Sequence, residues 1–170
     1  MALSKINRTS LDTGIDDNSD ATAITIDSSE RILMPNQPSF LATSDTTKTI
    51  TSGNTLSYDT TAGGGHNIGS HYSTSTYKFT APVNGVYFFT YSCRPVDTST
   101  AGIADLIVND AINDIYARLE FDSSDDVHQQ EQTSIINLSE KVTAKVYIRS
   151  GSIKIDNDKY YGHFGGHLLG

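Results

Sequence analysis

Tryptophan is absent from the 170 residues, cysteine occurs once, and proline occurs only four times. A single Cys93 excludes an intramolecular disulfide framework. A chain of this length needs none, since it buries about two-thirds of its unfolded surface on folding. No run of ~18 apolar residues is present, which excludes a membrane-spanning helix. The opening MALSKINRTSLDTGIDDNSD contains no apolar stretch of the ~7–15 residues that a secretory signal requires. The expectation is a protein made in a cytosol, which stays there or leaves by lysis or assembly. Positive charge is also scarce: 12 Lys and Arg stand against 20 Asp and Glu, a net charge of −8. That balance excludes a sequence-independent nucleic-acid binder, whose phosphate contacts need Lys and Arg, and disfavours docking on anionic membranes.

Strand formers are plentiful. Thr and Ser are abundant, Tyr and Phe supply nine and six aromatics, Ile outnumbers Leu, and Glu is rare beside Asp. The composition points to an all-β fold. Residues 1–37 read as a separate polar arm with a turn cluster, DTGIDDNSD, and a short alternating strand, ATAITID. The strand has too few apolar partners of its own, so the arm is expected to acquire structure against another chain.

From Pro38 onward, strands and turns follow at short spacing. PSFLATSD, NTLSYDT, HYSTSTYKFTAP, GVYFFTYSCRPV, AGIADLIVND, DIYARLEF, VHQQEQTSIINLSE, TAKVYIRSG and YYGHFGGHLL read as strands. Punctuation comes from Gly63 to Gly65, Pro82 to Gly85, Asn109–Asp110, Asp122 to Asp126 and Ser150–Gly151. About nine short strands with no helical period predict a sandwich or jelly roll. In GVYFFTYSC, period-2 geometry puts Tyr87, Phe89, Tyr91 and Cys93 on one face and Val86, Phe88, Thr90 and Ser92 on the other. Cys93 reads as a buried small hydrophobe. Both faces of this strand begin apolar, so each needs a cover, and a neighbouring subunit is the natural source of the second.

The stretch Tyr77-Lys78-Phe79-Thr80-Ala81-Pro82-Val83-Asn84-Gly85-Val86-Tyr87-Phe88-Phe89 resembles the "K-F-T-A-P-x-x-G-x-Y-x-F" signature of the complement C1q globular head and its relatives. Pro38-Ser39-Phe40, Leu106-Ile107-Val108-Asn109-Asp110, Ser134-Ile135-Ile136-Asn137-Leu138 and Phe164-Gly165-Gly166-His167-Leu168-Leu169 are similar, in order, to further strands of that family, so the likeness spans about 38–169. Glu140-Lys141 departs from the family's Gly-Asp pair. The resemblance implies a ten-stranded jelly roll shared with tumour necrosis factor, a homotrimer and a binding module rather than an enzyme. It implies a core signature of Phe40, Phe79, Pro82, Gly85, Tyr87, Phe89, Phe164, Gly166 and Leu168. Tyr161, His163, His167 and Leu169, on the opposite side of the final strand, would then face the threefold axis. There His163 and His167 would form rings that coordinate a metal, hold an anion or, as the favoured reading, pack neutral with water. The arm segment TGIDDNSDATAITIDSSERILM resembles a piece of fibre and structural proteins of marine tailed bacteriophages. It implies a virion protein whose residues 1–37 join other virion proteins while residues 38–170 form the head.

Motifs that would carry chemistry are few. Asp16-Asp17-Asn18-Ser19-Asp20 begins like a calcium-binding EF-hand loop but has Ala21 where the turn needs Gly and Asp27 where the loop needs Glu. Asp122, Asp125 and Asp126, or Asp156 and Asp158, are oxygen donors suited to calcium, although solvated acidic loops are the commoner use of such residues. His66, His71 and His128 read as surface histidines. No nucleophile elbow, phosphate-binding loop, dinucleotide fingerprint or Cys/His zinc spacing occurs. The expected function is therefore a non-enzymatic trimeric virion fibre or tip module. Its loops at Gly63–His66 (with Gly64), Asp97–Thr100 and Asp122–Asp126 would meet a host-surface polysaccharide or protein. A purely structural decoration or fibre-connecting trimer is the alternative, and a secreted cellular ligand or adhesin the third reading.

Overall fold

In the computed structural model, residues 25–26, 28–122, 128–157 and 162–170 are described. The chain divides into two units, Met1–Asn36 and Gln37–Gly170. Within the first, β1 (Thr25–Ile26) pairs antiparallel with β2 (Ile32–Leu33), turning through Glu30 at φ 62°. The remainder of ATAITID and the acidic turn cluster before it lie outside the described residues.

The second unit is a β-sandwich of two antiparallel layers. Its strands are β3 (Ser39–Thr43), β4 (Lys48–Thr51), β5 (His66–Ile68), β6 (Tyr72–Ser73), β7 (Lys78–Thr80), β8 (Gly85–Pro95), β9 (Gly102–Val108), β10 (Ile115–Phe121), β11 (Gln130–Leu138), β12 (Thr143–Ile155) and β13 (His163–Leu168). One layer runs β5-β3-β13-β8-β11. In the other, β10-β9-β12 continues across β12 to β7, which carries β6, and to β4. Arg94 and Pro95, at the end of β8, pair with Lys154 and Ile153 and so stitch the layers together at one end. Eleven strands stand among the described residues of this unit, where ten were implied.

Several elements differ from the sequence reading. KTIT forms the edge strand β4, although its alternation is between polar residues and one Ile50. NTLSYDT makes only isolated bridges, at Thr55 and Thr60, because Leu56 and Tyr58 turn fully into the core. HYSTSTYKFTAP breaks into β6 and β7 around a turn in which the Tyr77 N–H donates to Ser73 O and Tyr77 takes φ 60°. Ser150–Gly151 does not end a strand. It is a bulge within β12, where the register against β9 slips and Gly151 sits at φ 67°. A Cβ there would lie 2.0 Å from Ala101 O, so the strand bends around a position that only glycine fills.

The core is aromatic. Phe40, Phe79, Tyr87, Phe89, Tyr91 and Phe164 are at most 2% exposed, and Phe40 is their hub. It stacks on Tyr72 at 4.8 Å and on Phe79 at 5.1 Å, and meets Phe164 edge-on at 5.0 Å, the geometries that ring quadrupoles favour. Buried tyrosines carry hydroxyls that must be satisfied. Tyr58 donates to Ser92 O, Tyr72 to Tyr58 O and Tyr91 to Ala104 O. Cys93 is fully enclosed, and burial pushes its thiol up, away from the reactive thiolate.

Candidate functional site

Strand pairing fixes what the outer face of the β5-β3-β13-β8-β11 layer displays. Phe164 points into the core with no exposure, so His163, Gly165 and His167 point out. Three rows then cross the layer. The first holds Ile68, Ser39, His167, Phe88 and Ile135; the second His66, Leu41, Gly165, Thr90 and Thr133; the third Thr43, His163, Ser92 and Glu131. A fourth, partial row adds Val86 and Asn137. Beside Val86 lies Leu169, whose N–H donates to Val86 O. Ile68, Val86, Ile135 and Leu169 are 39%, 37%, 65% and 48% exposed. Apolar surface of this kind, rimmed by polar groups, marks a place where something docks.

His163 is held in the third row. Its backbone N–H donates to Ser92 Oγ at 3.1 Å, and Ser92 Oγ lies 2.8 Å from its Nδ1. With Oγ already accepting the backbone proton, the arrangement that uses each donor once has the hydroxyl donate to Nδ1. The ring proton then sits on Nε2, which faces the Glu131 carboxylate at 3.6 Å. Glu131 is itself fixed by the Thr90 hydroxyl, which donates to it at 2.6 Å. Burial lowers the His163 pKa below the ordinary imidazole value, against an opposite pull from Glu131. His167, two rows away and exposed, lies with its ring 5.3 Å from that of Phe88.

The predicted signature residues fall as follows. Phe40, Phe79, Tyr87, Phe89 and Phe164 are buried, and Leu168 packs partly buried against the core. Gly166 lies beneath Phe89, where a Cβ would come within 2.6 Å of the ring. Gly85 meets Leu168 in the same way, and Pro82 is half-buried in the preceding turn. Of the proposed axial set, His163, His167 and Leu169 share the outer face, and Tyr161 lies outside the described residues.

The proposed ligand loops separate. Gly64 and Asp97 lie at the end of the sandwich opposite Gln37 and Gly170, because Thr60 bridges Thr43 and Asp97 follows Pro95. There a depression of about 490 Å³ is lined by Thr43, Ser44, Asp45, Thr60, Ala62, Gly63 and Asn157. Asp97 caps its own turn, accepting from the Ser99 and Thr100 hydroxyls, and those bonds hold its carboxyl below the usual range. His66 belongs not to a loop tip but to β5, where its Nε2 lies 2.6 Å from Ser39 Oγ. Asp122 is exposed, and Asp125 and Asp126 lie outside the described residues.

The calcium expectation at Asp156 meets a different partner. Asp156 receives Arg94 Nε at 2.5 Å and Nη2 at 3.1 Å, a two-pronged ion pair that lowers its pKa and occupies both oxygens. Asp158 is outside the described residues. No group of three or more metal-ligating side chains occurs among the described residues.

Sequence reasoning missed Ser92 and Glu131 as the partners of His163, since they lie 71 and 32 positions away and meet it only through the register of β8 with β13 and β11. It also missed Asp105, fully buried on the far layer between Arg118, at 2.7 Å, and Arg149, at 2.5 Å. A lone Asp within the apolar run IADLIV was the available signal.

The pattern of the C1q domain family matches residues 39–169. The chain belongs to this family. Its fold is similar to that of the globular domain of zebrafish complement 1qA, with a TM-score of 0.55 at 12% identity over 79% of this chain and 98% of that one. It is also similar to Eiger TNF from S. frugiperda, with a TM-score of 0.56 at 10% identity over 78% and 91% of the two chains. No curated protein sequence matches it. The C1q domain here is thus an all-β jelly roll whose identity to these structures is too low to carry more than the fold.

Proposed function

We propose that this C1q domain is a non-enzymatic homotrimeric recognition module of a bacteriophage particle. Domains of the family are typically trimeric ligand-recognition modules. The observation that supports trimerisation here is the outer face of the β5-β3-β13-β8-β11 layer, where Phe88 and the exposed Ile68, Val86, Ile135 and Leu169 need cover. A second and third copy provide it through a head-to-tail contact that closes on itself.

Placement in a virion rests on the arm's resemblance to phage fibre segments. In this reading residues 1–37 attach the trimer to other virion proteins, and the loops around Gly64 and Asp97 are presented at the far end of the head to a polysaccharide or protein of the host surface. Antibody-gold imaging of purified particles tests the location: label on the fibre or tail supports the reading, and particles without label remove it. Binding of the full-length trimer to host cells then separates recognition from plain decoration.

A further inference from the structure

Three of the chain's five histidines occupy one sheet face: His66 on β5, and His163 and His167 on β13. Charged groups that could balance them are few. On β3 the outward positions are Ser39, Leu41 and Thr43, and on β5 the other is Ile68. On β8 they are Val86, Phe88, Thr90, Ser92 and Arg94, and on β11 Glu131, Thr133, Ile135 and Asn137. Arg94 is already engaged by Asp156. Glu131 is therefore the one carboxylate among these outward positions, and it faces His163 alone. His66 and His167 have as neighbours a serine hydroxyl and a phenyl ring.

In a trimer closed over this face, neutral imidazoles pack at little cost, while each added proton places a charge in a low-dielectric seam to which this chain's outward positions bring one carboxylate, Glu131, for three imidazoles. We propose that mild acid opens the trimer by charging His66, His163 and His167 within this face. The inference rests on the trimeric assembly argued above. It makes the C1q head a particle component that responds to acidified surroundings in the range where imidazole changes charge, about pH 5 to 7.

Sedimentation of the full chain at ~pH 7.5 and ~pH 5, the range bracketing imidazole titration, tests it, with circular dichroism to confirm that the strands persist. The expected result is a trimer mass at the higher pH, at least a tenfold weaker association at the lower one, and recovery on return. A trimer mass unchanged in acid overturns the inference and leaves the assembly reading standing. A monomer at both values overturns both.

Two variants assign the effect to these residues. His66→Asn, His163→Gln and His167→Asn combined should remain trimeric in acid, and an unchanged midpoint overturns the assignment. Should that variant fail to fold, Glu131→Gln decides. Loss of the carboxylate that raises the His163 pKa should move the opening to lower pH, and an unmoved midpoint counts against the inference.

Discussion

Ser92 and His163 hold each other across two strands, with Ser92 Oγ taking the His163 backbone N–H at 3.1 Å and lying 2.8 Å from its Nδ1. The fold therefore favours neutral His163, whose pKa is lowered by burial. Between that lowered value and the ordinary one of 6.5 the unfolded chain binds the extra proton. Stability contributed by neutral His163 is complete above pH 6.5 and declines as pH falls from there to the folded value. Urea midpoints of a monomeric variant measured across this range should fall with acid, and His163→Gln should flatten the slope.

Asp105 has no exposure and stands between two guanidiniums. Replacing it with Ala leaves Arg118 and Arg149 facing each other without the anion, and also releases Arg149, which donates to Ile112 O in the β9–β10 connection. A loss of about 3 kcal/mol is expected, at the low end for breaking a buried pair because both arginines reach solvent. Chemical denaturation reads it directly.

Gly166→Ala should cost about 1–3 kcal/mol, the usual penalty for overpacking, since the new methyl meets the Phe89 ring at 2.6 Å and Phe88 O at 2.9 Å. Gly170→Ala, where nothing lies within 4 Å, is the matched control and should be neutral. Equal midpoints for the two variants would contradict the packing described for β13.

Ile135 is 65% exposed in the isolated chain. Ile135→Asp should leave the melting temperature of the monomer within about 2–4 °C, as expected for a surface change, while abolishing the trimer in sedimentation. A trimer that tolerates the charge would place the contact elsewhere.

Much of this architecture was legible from alternation. GVYFFTYSC declared both faces of β8 correctly because Tyr87, Phe89, Tyr91 and Cys93 repeat without interruption. HFGGHL was equally clear once Phe164 was assigned inward. NTLSYDT misled because Leu56 and Tyr58 alternate as in a strand, yet its pairing stops at isolated bridges, at Thr55 and Thr60, and never extends into a ladder. β4 was invisible, since KTIT is placed by what β12 offers it, four paired residues from Lys48 to Thr51, and not by its own pattern. The His163–Ser92–Glu131 contact and the Arg94–Asp156 pair were beyond reach for the same reason. Both depend on register between strands distant in sequence, which local periodicity does not encode.

β13 pairs with β3 on one side and β8 on the other, and of all the strands in its layer it is the last to be synthesised. Until it leaves the ribosome, β3 and β8 each present an unpaired edge across an empty slot, the template from which wrong partners are recruited. Folding of this head is therefore completed by its final strand, and a nascent chain stalled before His163 would be held with the middle of one layer missing.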